Sequence, residues 1–199
     1  MLLRHGQTIW NAEHRFQGHT DIPLDETGKA QAERAGRLLA ALRPDVIVSS
    51  DLSRAVLTAQ PLAKLTGLVV ALDKDLRERS GGKWEGLSDD EIRERYPKER
   101  EAWDPPDGEK APAVAERVAA AFQRAAGAIP PGGLAVLVSH GAALRFGMER
   151  VLGIPDEVSG LLGPLSNCSW SVLGQRRTRW RLLEHNAGTL PEPVLGDDR

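Results

Sequence analysis

Two histidines with the same local setting are the residues in this sequence best suited to chemistry. Arg4-His5-Gly6 lies near the start of the chain, and His140-Gly141 lies far downstream. Histidine can act as a nucleophile or proton donor near neutral pH, and the planar arginine fork fits phosphate oxygens. We expect the glycine after each histidine to let the backbone approach a ligand, because it lacks a β-carbon. These motifs predict a phosphate pocket.

A second arginine comes from the middle of the chain, where Ser53-Arg54 follows Asp51. Arg54 falls in the first turn of a predicted helix, whose positive end also attracts anions. Taken alone, Ser53-Arg54 is typical of a helix cap followed by a solvated arginine. Phosphate binding is favoured over that interpretation because all these motifs follow predicted strands. In an open α/β sheet, ligands bind at the carboxyl ends of the strands.

Short apolar runs alternate with helical patterns, which predicts an α/β fold. We expect a three-layer sandwich with a mainly parallel central sheet and helices on both faces. The predicted strands are 1–4, 45–50, 68–72 and 134–139, and the segments 168–173 and 178–183 read as a closing hairpin that turns at 174–177.

Helices are predicted near 27–42, 53–66 and 111–128 and after Gly141, from apolar residues at helical spacing. The pattern places these apolar side chains inward: Ala35, Leu38, Leu39, Leu42, Ala55, Leu62, Leu65, Val114, Val118, Phe122 and Ala125. We expect one domain over 1–187, with a cap-like insertion at 79–110 and a flexible tail at 188–199.

The composition argues against several classes of protein. The 26 basic and 28 acidic side chains lack the basic excess typical of nucleic-acid binding. The longest apolar run, 134–138, is far shorter than the roughly 20 residues that cross a bilayer. Cys168 is the only cysteine, so no intrachain disulfide can form. The sequence predicts a cytoplasmic protein that contacts neither nucleic acid nor membrane.

The motifs also carry a family resemblance. The run Leu3-Arg4-His5-Gly6-Gln7-Thr8, followed by Asn11 and Gln17-Gly18, resembles the signature of the histidine phosphatase superfamily, the phosphoglycerate mutase-like family. The resemblance spans roughly 2–185, and later motifs of that family match in order: Ser49-Ser50-Asp51-Leu52-Ser53-Arg54-Ala55, Thr58-Ala59, Leu76-Arg77-Glu78, Trp84-Glu85-Gly86 and Ser139-His140-Gly141.

The resemblance implies a role for each matching residue. His5 would become phosphorylated, Arg4, Arg54 and His140 would clamp the phosphoryl oxygens, and Glu78 would donate a proton to the leaving group. Phosphate-binding positions implied in the same way are Asn11, Gln17, Gly18 and Gly141. With this clamp no metal or other cofactor is expected.

Several alternatives stay open at this stage. Glu78 lies in a charged run, and Glu85 is a nearby competitor for the role of acid. His14 and His19 are candidate metal ligands. They are not spaced as a helical His-x-x-x-His pair, and no cysteines support them, so a metal site is not favoured. Cys168 reads as a small strand residue.

The function has alternatives too. We expect a phosphatase acting on a small phosphomonoester of the sugar phosphate or phosphoglycerate type. The runs 166–170 and 179–182 resemble those of the branch of the family described as glucosyl-3-phosphoglycerate phosphatases. A cofactor-dependent phosphoglycerate mutase and a non-catalytic phospho-ligand-binding protein are the alternatives. The short segment between Glu78 and His140 favours hydrolysis, and the closing hairpin could supply the edge of a homodimer.

Overall fold

A computed structural model describes residues 1–176 and 179–188. Its strands form a single sheet with the order β3-β2-β4-β1-β5-β6, parallel from β3 to β1 and antiparallel at β5 and β6. The strands are β1 Leu2–Arg4, β2 Val46–Ser49, β3 Val70–Leu72, β4 Ala135–Ser139, β5 Trp170–Arg176 and β6 Arg179–Ala187.

Helices connect the parallel strands to one another and β4 to the antiparallel β5. They are α1 Ile9–Ala12, α2 Glu26–Ala40, α3 Ser53–Thr66, α4 Asp89–Arg95, α5 Pro97–Glu101, α6 Ala111–Gly127 and α7 Gly141–Leu152. The side chain of Asp25 caps α2 by accepting a hydrogen bond from Gly28 N–H, as the sequence predicts. Gly67 and Gly153 end α3 and α7 in the left-handed conformation, which glycine adopts without strain.

Alternating side chains of the central strand β4 serve two hydrophobic cores. Leu137 packs with α6 and α7 on one face of the sheet, and Val136 packs with α2 and α3 on the other. This two-residue period gives three layers, so the predicted α/β sandwich is confirmed. The chain leaves β1 toward one face and β4 toward the other, and such a reversal opens a crevice at the strand ends.

The predicted inward faces of the helices are correct for α6 and partly wrong for α2 and α3. Leu38, Leu42 and Leu65 are about half exposed, at 49%, 51% and 53%. The face of α2 that is buried instead carries small residues, and a β-carbon on Gly36 would lie 2.9 Å from Pro61 Cβ. Because α2 and α3 pack so closely, the leucines lie outside the contact.

The strands of the closing hairpin are longer than predicted. Gly174 pairs with Arg181 and Gln175 with Trp180, so residues predicted to form the turn belong to the strand pairing. Cys168 precedes β5 rather than lying in it, and its N–H donates to the carbonyl oxygens of Arg4 and His5.

The predicted tail lies outside the described residues, Gly188 excepted, and the domain boundaries stay a prediction. The segment 79–110 contains α4 and α5. Among the described helices, none is both long and apolar enough to cross a membrane.

Candidate active site

The pairing of β1 with β4 places the two histidines side by side. Arg4 is in register with Ser139, so the next residues of the two parallel strands, His5 and His140, follow at the same edge. Their ring centroids are 5.1 Å apart. Arg54 joins them from the first turn of α3, just after β2. The sheet therefore brings together motifs that are more than 130 residues apart in the chain.

Hydrogen bonds fix the position and the tautomer of His5, which is only 3% exposed. Its N–H donates to Ser139 O at 3.0 Å, and its Nδ1 lies 2.7 Å from Gly6 O. A carbonyl oxygen can only accept, so Nδ1 carries the proton and Nε2 keeps its lone pair. The structure thus contains the tautomer-fixing bond that a nucleophilic histidine requires.

His5 is also held neutral. Burial lowers the pKa of His5 well below 6.5, and the positive charges of Arg54 and Arg4 lower it further, against the opposing effect of the bond to Gly6 O. A neutral imidazole is the form that can attack phosphorus.

Arg54 is fully buried and its guanidinium is fixed by three bonds. Nη1 donates to Thr20 O at 2.9 Å, Nη2 to Gly18 O at 2.7 Å and Nε to His140 Nδ1 at 3.2 Å. Burial lowers the pKa of Arg54 to about 10, so it stays charged at neutral pH. A guanidinium has five N–H donors, which leaves two for a phosphoryl group.

His140 lies behind Arg54 and is fully buried, away from the cleft surface. Its Nδ1 accepts from Arg54, so the proton is on Nε2, which donates to Ser50 Oγ at 2.8 Å. Burial, then the charge of Arg54, lowers the pKa of His140 well below 6.5. In this geometry His140 orients Arg54, which differs from the predicted clamp role. To donate to a phosphoryl group, His140 would have to give up its Nε2 bond to Ser50, or release Arg54 Nε and carry its proton on Nδ1 instead.

The carboxylate of Glu78 docks at the start of α7. Its oxygens accept hydrogen bonds from Ala142 N–H at 3.2 Å, Ala143 N–H at 2.8 Å and Arg79 N–H at 2.8 Å. The positive end of a helix stabilises such an anion. The first amide of α3, where the sequence predicts an anion, is bound by the Asp21 carboxylate at 2.8 Å.

Glu85, the other candidate for the proton donor, holds loop backbone groups in place. Its carboxylate accepts from the N–H groups of His19, Thr20 and Gly81 and from the Thr20 hydroxyl. Burial would raise the pKa of Glu85, but these hydrogen bonds lower it overall. Glu78 lines the cleft and Glu85 does not.

The two glycines after the histidines serve different purposes. A β-carbon on Gly6 would lie 2.5 Å from Gly28 O, so Gly6 allows close packing of α2 rather than of a ligand. The prediction that Gly6 lets the backbone approach a ligand was therefore wrong, because the close neighbour of Gly6 is the α2 backbone. A β-carbon on Gly141 would lie 3.5 Å from the guanidinium of Arg4, at the cleft. Gly18 has a φ of 54°, which allows its carbonyl to meet Arg54.

Asn11 and Gln17 are organised by Thr8. Asn11 Oδ1 accepts from Thr8 N–H at 3.1 Å, and the one Thr8 hydroxyl proton lies within reach of Asn11 Oδ1 at 3.1 Å and Gln17 Oε1 at 3.0 Å. With their oxygens engaged, both amides have NH₂ donors to offer a ligand.

The cleft itself has a volume of about 320 Å³. All the predicted site residues except His140 line it: Arg4, His5, Asn11, Gln17, Gly18, Arg54, Glu78 and Gly141. Arg93, Arg100 and Trp103 line its outer wall. Within the described ranges, no three His, Cys, Asp or Glu side chains group as a metal site would require.

The prediction from sequence missed several supporting side chains. Thr58 Oγ1 accepts from Gly6 N–H, and Asn167 Nδ2 donates to His5 O, both at 3.0 Å. Arg145 lines the cleft from the second turn of α7. The sequence could have predicted this position, because Arg145 lies four residues after Gly141 and residues at that spacing share one helix face.

These features define an α/β phosphoryl-transfer site, and comparison with known proteins gives the family. The family model described as histidine phosphatase superfamily (branch 1) matches residues 1–188. The chain belongs to this superfamily. The predicted family and enzyme class are thereby confirmed, with phosphatase-named relatives in support.

Two curated relatives and one solved structure illustrate the similarity. Glucosyl-3-phosphoglycerate phosphatase of Mycobacterium tuberculosis is 37% identical over 94% of this chain and 93% of its own. The probable phosphoglycerate mutase GpmB of Salmonella arizonae is 36% identical over 90% and 86%. A structure of the mycobacterial glucosyl-3-phosphoglycerate phosphatase with VO3 has a TM-score of 0.89 at 37% identity, covering 94% and 98% of the two chains.

Proposed function

We propose that this chain hydrolyses small phosphomonoesters of the sugar phosphate or phosphoglycerate type, without a metal, through a phosphohistidine on His5. The observation that carries the proposal is the state of His5. It is neutral, its Nδ1 proton is held by Gly6 O, and it lines the same cleft as Arg4 and Arg54. A fixed lone pair in a cleft lined by two guanidinium groups suits in-line attack on phosphorus.

In the first step, the lone pair of His5 Nε2 forms a bond to phosphorus while the bond from phosphorus to the ester oxygen breaks. The departing oxygen takes a proton from the carboxyl form of Glu78 and leaves as an alcohol, and Glu78 becomes the carboxylate that the α7 amides bind. General acid catalysis of this kind contributes about 10²–10⁴-fold.

In the second step, the Glu78 carboxylate takes a proton from a water molecule whose oxygen attacks phosphorus. The N–P bond breaks, its electron pair returns to Nε2, and inorganic phosphate leaves. The enzyme is then back in its starting state.

The proposed clamp consists of Arg4 and Arg54, with Asn11, Gln17, Gly18 and Gly141 around the phosphate and His140 orienting Arg54. Guanidinium groups stabilise the charge on the equatorial oxygens, which is the main task in phosphoryl transfer. This clamp is the reason for proposing a metal-independent reaction.

The charges of the cleft support an anionic substrate. Among the described residues that line it are six arginines and two carboxylates, Glu78 and Asp89. Asp89 is shared by Arg93 and Arg100, at 2.6 and 2.5 Å. Arg145 lines the cleft and packs over the Phe146 ring, and no ion pair to a carboxylate is found for it in the described part of the chain. We propose that it receives a substrate carboxylate, for which its planar fork is suited.

Glucosyl-3-phosphoglycerate is a candidate substrate because relatives of this chain carry that name. Phosphoglycerate mutase is the second candidate, favoured by the relative named GpmB. The alignment with that relative spans 86% of its length, so chain length does not separate the two activities. A mutase must retain its phosphoryl group, whereas a phosphatase must pass it to water.

The test is to trap the phosphoprotein. After brief incubation with substrate and a chelator, we expect an acid-labile phosphoryl group on the intact protein, by mass spectrometry, with inorganic phosphate as product. His5→Ala should abolish both, and His185→Gln, on β6, should change neither. Unchanged turnover in His5→Ala would refute the nucleophile, and activity that needs an added divalent ion would refute metal independence.

The same preparation separates the two enzymes. With 3-phosphoglycerate and a bisphosphoglycerate primer, a phosphatase releases inorganic phosphate and a mutase forms the 2-phospho isomer. A panel that includes glucosyl-3-phosphoglycerate and sugar phosphates then ranks substrates by kcat/KM. Binding of these esters without turnover would favour the non-catalytic alternative.

We further propose a cytoplasmic protein that binds no nucleic acid and forms a homodimer. The near balance of acidic and basic residues and the single, buried Cys168 support the first two points. Strand β6 ends the sheet, and a free strand edge supports pairing with a second copy. The mass of the protein in solution, by light scattering, tests the dimer.

A further inference from the structure

The loop that carries Glu78 is held by a side chain from α6. Arg117 Nη1 donates to Asp75 O at 2.8 Å and Arg77 O at 2.7 Å, and its Nη2 donates to Glu78 O at 2.9 Å. One guanidinium thus binds three carbonyls within four residues of chain.

Leu76 O, the one carbonyl of 75–78 that Arg117 does not bind, also accepts a hydrogen bond. Leu76 O accepts from the Ser139 hydroxyl at 2.6 Å, and Glu78 O accepts a second bond from His19 Nε2 at 2.8 Å. Residues 77 and 78 lie outside helices and strands, so their carbonyls need side-chain partners. The backbone of the proposed acid is therefore fixed from several sides.

Arg117 is itself fixed by Glu109. Arg117 Nε and Nη2 donate to the two Glu109 carboxylate oxygens at 2.8 and 2.7 Å, a bidentate pair in which the Arg117 side chain is only 17% exposed. Glu109 also accepts from Ser80 N–H at 3.2 Å. The ion pair and the loop form one unit that reaches from α6 to the edge of the cleft.

We propose that Arg117 is a positioning residue for the proton transfers of Glu78. The inference rests on the proposed function, because it takes Glu78 as the acid of the first step and the base of the second. The carboxylate oxygens are held by the α7 amides and Arg79 N–H, and the backbone carbonyl is held by Arg117 and His19. Arg117 also holds the carbonyls of Asp75 and Arg77, so it is the contact that fixes the path of the loop. Without Arg117 the oxygens would shift relative to the leaving group, and a misplacement of about 1 Å can cost about 10²-fold in rate.

The leaving group gives a readout that a purely structural role would not produce. An alkyl phosphate releases a poor leaving group that needs a proton, whereas p-nitrophenyl phosphate releases a stable phenolate. For Arg117→Gln we expect kcat/KM for an alkyl phosphate to fall about 10²-fold, and for p-nitrophenyl phosphate to fall far less. Arg117→Lys should recover part of the loss.

A second readout concerns the water attack, where Glu78 is the base for every substrate. With p-nitrophenyl phosphate, slow hydrolysis of the phosphohistidine in Arg117→Gln should produce a burst of about one nitrophenol per active site. A phosphorylated His5 should accumulate in that variant.

Arg124 provides the matched control. It lies on the same helix and contacts the same segment, through Asp73 and Asp75 at 2.7 Å each, but it has no bond to Glu78. We expect Arg124→Gln to leave the ratio of the two kcat/KM values unchanged.

The ratio keeps the test valid if Arg117→Gln is less stable, since both esters are measured on the same folded fraction. Equal losses for both esters, with no burst and no recovery in Arg117→Lys, would overturn the positioning role. Failure of the proposed function itself would be seen separately, as activity that survives in His5→Ala.

Discussion

The floor and the outer wall of the cleft are built in different ways. The floor consists of Arg4, His5 and Arg54 at the strand ends, and it is held by hydrogen bonds to backbone carbonyls and to the buried His140 ring. The wall, from α4 and α5, is held by ion pairs such as Arg100–Asp89, with side chains partly exposed to water.

The difference has a physical consequence. Groups bonded to a rigid backbone in a dry site keep their geometry and their electrostatic strength. Exposed ion pairs are screened and contribute about 0–1 kcal/mol, so they can rearrange around different substrates. The floor should therefore determine the reaction and the wall the choice of substrate.

Replacing a floor arginine should have the largest effect on rate. Arg54→Lys keeps the charge but loses the fork that bridges Gly18, Thr20 and His140. We expect kcat/KM to fall by about 10³-fold for every phosphomonoester, as for other arginines that stabilise phosphoryl transfer. Steady-state kinetics on two or more esters measures this, with Arg37→Lys on the exposed surface of α2 as control. A loss below tenfold would remove Arg54 from the clamp.

A change at Arg145 should be smaller and selective. Arg145→Gln should lower kcat/KM about 10- to 100-fold for 3-phosphoglycerate, since a hydrogen bond between charged groups is worth about 1.5–3 kcal/mol. Glycerol 3-phosphate, which lacks the carboxylate, should be hydrolysed as before. Arg93→Gln is the comparison, because Arg93 is already paired with Asp89. Equal losses on both esters would contradict the carboxylate site.

The smallest expected effect is on the free energy of unfolding, which should depend on pH through the two buried histidines, His5 and His140. Burial is the main reason that the folded-state pKa values of His5 and His140 lie well below 6.5. As pH falls below about 6.5, the unfolded chain binds protons that the folded chain does not. The free energy of unfolding should then fall by up to about 1.4 kcal/mol per pH unit for each histidine.

Urea titrations between pH 5 and 8 measure this slope. His5→Gln and His140→Gln should each reduce it below pH 6.5 and leave it unchanged above. A slope that is the same in both variants and the parent protein would show that these histidines are protonated in the folded state.

Much of the fold followed from local patterns. Apolar runs and helical spacings located the four parallel strands and the long helices, because burial imposes those periods. Leu38 and Leu65 were misplaced because the closeness of α2 to α3 depends on Gly36 meeting Pro61, a contact between distant residues.

The sequence by itself determined which residue types meet at the strand ends, since parallel strands bring their carboxyl ends to one edge. The tertiary structure decided what each of them does there. It fixed the tautomer of His5 and placed His140 behind Arg54. It also placed Glu78 in the cleft and Glu85 in hydrogen bonds to loop amides, and it packed Gly6 against α2. Hydrogen-bond partners and burial come from contacts between distant segments, and these set protonation and geometry.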